Sequence, residues 1–328
     1  MNPGSHPHLT VYFGGQFVPL AEARVGILTH ALHYGTGVFE GIRAYWNAAA
    51  EELYVLRPRE HYQRWLRNCG ILHIDVPLPP GELCALTVEL ARRNGLRTDL
   101  YVRPLAYKSA ERIGVSPDDR DAFAIVALPF GEYLHSEKGL HAGVSSWRRV
   151  EDNAIPARAK ICGAYVNSAL ASDEARRSGF DEAIFLNEDG HVAEGAASNL
   201  FMVRNGTLIT PPLSDNVLEG ITRASVMELA ARELGLQTVE RSIDRSELYV
   251  CDELFFTGTA VGLAPVAQID HRPVGNGAAG PLTLRLRRLY ADAVHGQLPA
   301  YRKWLLPVYQ AGQEPPQDAV HLAGTSVA

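Results

Sequence analysis

Lysine is nearly absent from this chain. Among 328 residues there are four, Lys108, Lys138, Lys160 and Lys303, against 27 arginines. Arginine has filled almost every position that needs only a positive charge. A retained lysine marks a place where an amine able to lose its proton has a use, because a buried amine becomes a nucleophile or a base and a guanidinium does not. Cysteine is as rare: Cys69, Cys84, Cys162 and Cys251 lie far apart and form no CxxC pair. They read as free thiols in a reducing cytoplasm, Cys162 as a small apolar residue. No excess of basic residues exists either; the formal net charge is −6 and the pI about 6.1. Nucleic acid is therefore not an expected partner. No apolar run reaches membrane-spanning length, and MNPGSHPHLT at the start has neither a charged leader nor an apolar segment, so neither a membrane partner nor a secretory signal is expected.

What is present is an ordinary soluble composition, 46% hydrophobic and 21% charged, long enough for about two domains. LTVYFGGQFVPL reads as two short strands around a Gly-Gly turn. PREHYQRWLRNCGI and ELCALTVELARRNGL read as helices, the second closed by Gly95. LYVRPLAY and AFAIVALPF read as strands, and the polar GEYLHSEKG after them as a linker. In the second half, LHAGVSSWRRV opens the domain and GAYVNSALASDEARRSGF is a helix ending at Gly179. Asp189-Gly190 and Asn205-Gly206 turn two hairpins. ITRASVMELAARELGL is a helix closed by Gly235, and ELFFTGTAVGLAPV a buried strand and a turn. The pattern predicts a mixed α/β (α+β) chain in two halves, not a run of regular βαβ units, with mobile tails at both ends.

Several groups could carry chemistry. Lys160 lies among Ala157, Ala159, Ile161, Gly163 and Ala164, small residues that desolvate an amine and leave room beside it. Read alone it is equally a surface lysine at a strand end, the role expected of the other three. Glu194, in HVAEGAASNLF, ends a hairpin strand beside Gly195, where a carboxylate can approach a ligand ring or simply face solvent. LEGITRASVMELA places Gly-Ile-Thr at a helix start. Its free N–H groups and positive dipole end suit a phosphate, while Thr222 is also a natural cap for its own helix. FFTGTAVG offers a second turn rich in amides. Arg59 could hold a phosphate bidentately and could equally be one of many surface arginines. GTGVFEG (35–41) imitates a dinucleotide fingerprint with a gap one residue too long. His30 and His33 have a metal-like spacing without further ligands, so no metal is expected.

The order and identity of these groups together resemble the fold-type IV pyridoxal-phosphate (PLP) enzymes, the class IV aminotransferases, and within them the branched-chain amino acid aminotransferases. The stretches that carry the resemblance are HALHYGTGVFEGIRAY (30–45), RPREHYQRW (57–65), YVRPL (101–105), VSSWRRV (144–150), the long segment 155–201, TPPLSDNVLEGITR (210–223) and ELYVCDELFFTGTA (247–260). The resemblance implies a small N-terminal α+β domain (1–128), a linker (129–138) and a larger C-terminal pseudo-barrel domain (139–328) that binds PLP.

The resemblance also implies a role for each matching residue. Lys160 would form the internal aldimine with PLP and shuttle a proton at the substrate Cα. Glu194 would face the pyridine nitrogen and keep it protonated. Tyr165 would bond the phenolic oxygen, Leu218 would pack on the ring, and Arg59, Ile221, Thr222 and Thr259 would hold the phosphate. Tyr34, Phe39, Tyr101, Arg103, Phe130 and Tyr133 would wall the substrate pocket, Arg103 meeting the side-chain carboxylate of glutamate. The Thr259 and Ala260 amides would meet the α-carboxylate. The implied activity is ping-pong transfer of an amino group between L-leucine, L-isoleucine or L-valine and 2-oxoglutarate, in a cytoplasmic homodimer or larger homo-oligomer whose segment 111–119 closes the neighbouring site. Three stretches depart from the family pattern: Val261-Gly262 after GTA, AAS before Asn199, and KSAER at 108–112. They bear on substrate choice and leave a D-amino acid or (R)-amine transaminase, or an aminodeoxychorismate lyase, as alternatives.

Overall fold

The computed structural model describes residues 9–131 and 138–309. The expected tails and most of the expected linker, with Tyr133, fall outside those residues. The chain divides into two compact units, one running to Gly131 and resuming at Val294, the other spanning Glu132–Ala293.

In the first unit, β1 (Thr10–Phe13) and β2 (Gln16–Pro19) pair across Gly14 and Gly15, both at positive φ. There follow α1 (His30–Tyr34), β3 (Gly37–Phe39), β4 (Ile42–Asn47), β5 (Glu52–Leu56), α2 (Pro58–Ile71), α3 (Pro80–Arg93), β6 (Leu100–Lys108) and β7 (Asp121–Pro129). Both long helices begin on proline, whose fixed φ suits a first turn. Tyr62, Trp65 and Cys69 form the buried stripe of α2 at helical spacing, and Leu83, Leu86 and Leu90 that of α3. The Tyr62 hydroxyl meets Thr87 Oγ1 at 2.5 Å where these helices pack. The antiparallel sheet contains β5-β4-β6-β7-β1-β2 in that order, with β3 also on β6.

The second unit contains β8 (Leu140–Arg148), α4 (Tyr165–Arg177), β9 (Glu182–Leu186), β10 (Val192–Gly195), β11 (Asn199–Arg204), β12 (Thr207–Thr210), α5 (Ile221–Leu234), β13 (Thr238–Glu240), β14 (Glu253–Gly258), β15 (Gly262–Ile269), β16 (Arg272–Pro273) and α6 (Pro281–Val294). Its sheet runs β10-β9-β8-β15-β14-β11-β12-β13, with β16 on β15. It is mixed: β8 lies parallel to both β9 and β15, and β12 to β13, while the other pairs are antiparallel. This is the sheet of the expected pseudo-barrel domain. β11 and β14 are buried at nearly every position, as strands covered on both faces must be. Leu200, Met202, Leu254, Phe256 and Val266 share one core cluster; Ala171, Ala175, Phe185, Ala193 and Val217 share another that includes α4.

The C-terminal part of the chain departs from the expected division. Instead of staying with the second domain, it returns to the first unit as β17 (Leu305–Pro307), which pairs antiparallel with β5 at the sheet edge. The buried Glu52 carboxylate fixes this return by accepting from the Val308 and Tyr309 amides at 2.9 and 2.7 Å. Among the described residues, no helix is long and apolar enough to cross a membrane.

Candidate active site

In the second unit, Lys160 precedes a 3-10 turn (Cys162–Ala164) that leads into α4 at Tyr165. The turn brings the two side chains together: Lys160 Nζ donates to Tyr165 Oη at 2.6 Å. Its neighbours along the chain, Ala157, Ala159, Ile161 and Ala164, are buried, and Lys160 itself is half-buried.

Glu194 lies in β10 and is 5% exposed. Three donors hold its carboxylate. Arg149 Nη2 lies 3.0 Å from Oε1; Asn199 Nδ2 and the Leu218 amide donate to Oε2 at 2.9 and 3.1 Å. Burial pushes the carboxyl above its ordinary value, against the pull of the Arg149 charge, the Leu218 N–H and the Lys160 charge. The amine and the carboxylate thus sense each other within one site.

Two residues beyond Leu218, Gly220 is the N-cap of α5. A Cβ there would overlap the Asn199 amide oxygen, so only glycine lets the helix start this close to the Glu194 cluster. Thr222 does not cap its own helix. It is the second helical residue, buried at 4%, and the cap forms no side-chain hydrogen bond. The first-turn amides are therefore without intrahelical acceptors at the positive end of the helix dipole, with Ile221 and Thr222 beside them. Gly258 and Gly262 face each other across the β14–β15 turn, whose tip carries Thr259 and Ala260, both half-exposed. Next to this turn, Thr257 Oγ1 and Ser198 Oγ are buried and have no hydrogen-bond partner among the described residues.

The first unit carries the other expected site residues. The Arg103 guanidinium lies over the rings of Phe39 and Tyr101, 4.5 and 5.1 Å from their centroids, and donates to Tyr101 Oη at 2.9 Å. Phe130 packs on Tyr101 at 5.1 Å. Tyr34 packs on His30 and accepts from the Gly114 amide at 3.0 Å. Arg59 is exposed in the first turn of α2. Tyr133 lies outside the described residues.

Sequence reasoning missed several groups. Arg149 and Asn199 complete the Glu194 cluster, but nothing local distinguishes an arginine 45 positions from its partner. Glu40 is fully buried and bonded by Arg64 Nε and Nη2 at 2.6 and 2.9 Å and by His61 at 2.9 Å. Lys108, expected at the surface, is 2% exposed and bonds the His73 carbonyl and Asp121. His30 and His33 are hydrogen-bonded to Thr36, Val115 and Ile27, and no cluster among the described residues could hold a metal ion.

The departures have local causes. Gly262 stands at φ +61, where a side chain is strained, and Val261 packs against the sheet core. Ala196 and Ser198 are buried in the turn after Glu194, and Lys108 and Ala110 are buried in the first unit.

A family model for class IV amino-transferases matches residues 37–269. A probable branched-chain-amino-acid aminotransferase of Aquifex aeolicus is 49% identical over 299 residues, covering 91% of this chain and 96% of the relative. The branched-chain aminotransferase of Thermoproteus uzoniensis, solved with norvaline, superposes with a TM-score of 0.87 at 47% identity, covering 92% of this chain and 99% of that one. The T.th. branched-chain amino acid aminotransferase, complexed with N-(5'-phosphopyridoxyl)-L-glutamate, superposes with a TM-score of 0.86 at 43% identity, covering 91% of this chain and 98% of that one.

Proposed function

The chain belongs to the class IV aminotransferase family, and from that premise we propose that it is a PLP-dependent branched-chain amino acid transaminase. It moves the amino group between L-leucine, L-isoleucine or L-valine and 2-oxoglutarate in two half-reactions of ping-pong type. The observation that carries this reading is the pairing, in one unit, of a half-buried amine at Lys160 with a buried, triply bonded carboxylate at Glu194. The residues suit PLP: an amine for its aldehyde, a carboxylate for its ring nitrogen, and a helix start opened by Gly220 for its phosphate. When bound, PLP supplies an aldehyde that takes the amino group and a ring that withdraws electrons from the substrate Cα. Lys160 Nζ tethers the cofactor and moves the proton at that carbon. Glu194 holds a proton on the ring nitrogen, and Tyr165 bonds the phenolic oxygen. Leu218 packs on the ring. Arg59, Ile221, Thr222 and Thr259 bind the phosphate.

Phe39, Tyr101 and Phe130 give the apolar contacts a branched side chain needs, with Tyr34 as a further wall. Arg103, in the first unit, meets the side-chain carboxylate of glutamate; in the second unit the Thr259 and Ala260 amides take the α-carboxylate. The glutamate-bearing ligand of the T.th. enzyme supports this choice of acceptor. The test is the visible absorption spectrum of the purified protein before and after L-leucine. The yellow band should convert with L-leucine, and Lys160→Ala should abolish the conversion. A band that ignores L-leucine, L-isoleucine and L-valine but responds to D-alanine or an (R)-amine would overturn the substrate. Absence of any band after PLP addition would overturn the cofactor.

The active form is a homodimer or larger homo-oligomer. The support is an apolar surface on two segments joined by backbone hydrogen bonds, His30 to Ala110 and Arg112 to Leu28. Ile27, Leu32, Ile113 and Val115 are 76, 58, 65 and 77% exposed there, a cluster of a kind that marks an interaction site. It includes part of the 111–119 segment. Ile27→Asp should shift sedimentation toward the monomer; an unchanged value would remove this surface from the assembly. The four cysteines form no disulfide with one another, which suits the cytoplasm.

A further inference from the structure

We propose that Arg149 is a positioning residue that keeps the Glu194 side chain ionised and aimed. The inference rests on the reading of Glu194 as the partner of the cofactor ring nitrogen, and it assigns the cause of that behaviour to a residue outside the set implied by resemblance. Arg149 follows β8, where its own amide donates to the Leu186 carbonyl at 2.8 Å. Its guanidinium spans two groups at once: Nη2 reaches Glu194 Oε1 at 3.0 Å, and Nε donates to the Asn216 carbonyl at 3.3 Å. Asn216 stands in the left-handed region at φ 59 and donates to Glu188 at 2.6 Å. Two residues on, the Leu218 amide donates to the other Glu194 oxygen. One arginine therefore fixes the carboxylate directly and also braces the turn that supplies a second donor.

The charge balance favours this assignment. Both partners are nearly out of water, with side chains 10% and 6% exposed. An isolated carboxylate so placed takes up a proton. Around Glu194 stand Arg149, the Lys160 amine, and the neutral donors Asn199 and Leu218. Glu182, on the adjacent strand, bonds the Ala183 and Ala196 amides, and burial pushes its own carboxyl above the ordinary value. Lys160 is committed to the cofactor in the proposed reaction, so Arg149 is the cation whose charge stays available to Glu194 throughout. Lysine in its place would restore the charge but could not make both bonds, because only the guanidinium fork reaches two acceptors in fixed geometry.

The test uses the full chain with and without added PLP. Infrared difference spectra follow the Glu194 carboxyl, with its band identified by Glu194→Gln. In the wild type it should be a carboxylate at neutral pH. Arg149→Gln should raise its protonation midpoint by about 1–3 pH units, and Arg149→Lys should restore most of that shift. With 15N-labelled PLP bound, the ring-nitrogen resonance should be that of a protonated ring in the wild type and in Arg149→Lys, and of a neutral ring in Arg149→Gln. A Glu194 already protonated in the wild type at neutral pH overturns the proposal, whatever the variants do. So does an unmoved midpoint in Arg149→Gln. If the wild type binds no PLP, the proposed function fails while the infrared result on Arg149 and Glu194 still stands.

Discussion

The Lys160 amine donates to the Tyr165 hydroxyl over 2.6 Å, and the two stand five positions apart in the chain. The 3-10 turn between them sets that spacing, so the bond is a local product of the sequence CGA. In Tyr165→Phe the ring stays and the acceptor is lost. A hydrogen bond to a charged group contributes about 1.5–3 kcal/mol. In the proposed reaction this hydroxyl serves the phenolic oxygen of the cofactor, so kcat with L-leucine should fall about 10- to 150-fold. Steady-state kinetics on the variant read this directly, and a kcat within twofold of wild type would show that the hydroxyl only packs.

Gly220→Ala tests the start of α5. At φ −68 and ψ 129 the backbone accepts alanine without strain, so the cost is steric. The new Cβ overlaps the Asn199 amide oxygen and presses on the Arg223 Cβ. Asn199 must move, and it bonds both Glu194 and the Leu218 carbonyl. Stability should drop by about 1–3 kcal/mol, and PLP should bind more weakly in a fluorescence titration. Wild-type values of both would mean that the helix start shifts at no cost.

Much of this was legible in the sequence where local chemistry decides structure. Asn205 and Gly206 both take positive φ, as the hairpin turn read from Asn-Gly requires, and Gly95, Gly179 and Gly235 stand at positive φ after their helices. Lys160 and Glu194 stand out by identity and neighbours, whereas Tyr165 enters only through the family resemblance. What could not be read depends on partners distant in sequence. Glu40 sits in GTGVFEG, where the glycines draw attention; its burial against His61 and Arg64 needs α2 folded over it. Gly41 after it has a steric reason, since a Cβ there would overlap the Tyr101 hydroxyl. Lys108 looks like any strand-end lysine until Asp121 and the His73 carbonyl close around it. The pairing of β17 with β5 joins positions some 250 residues apart, and no local pattern announces it.

Glu40→Gln follows from that burial. The wild-type carboxylate accepts from Arg64, His61 and the Gly41 amide, and the opposing charges hold it well below the usual carboxylate range despite its burial. The amide removes the buried negative charge that faces the Arg64 guanidinium. Removing one member of a buried pair costs about 3–5 kcal/mol. Urea unfolding should show a lower midpoint with an unchanged slope. A midpoint equal to that of wild type would mean that water or a neighbouring group replaces the carboxylate.

The last prediction concerns acid. Glu247 closes a capping box with Asp244 and bonds Arg241 twice and Arg204 once, at 2.7 to 2.8 Å. The Arg241 bonds, with smaller help from the Asp244 amide and Arg204, hold its carboxyl at about 2, against an ordinary 4.5. A carboxylate depressed on folding stabilises the folded state above its unfolded value and loses that contribution as the pH falls through its folded value. The stability difference between wild type and Glu247→Gln should therefore be constant above pH 4.5 and shrink steadily toward pH 2. Paired thermal unfolding across this range measures it. A difference that stays the same at every pH would assign the effect to packing and remove the ion cluster from the acid response.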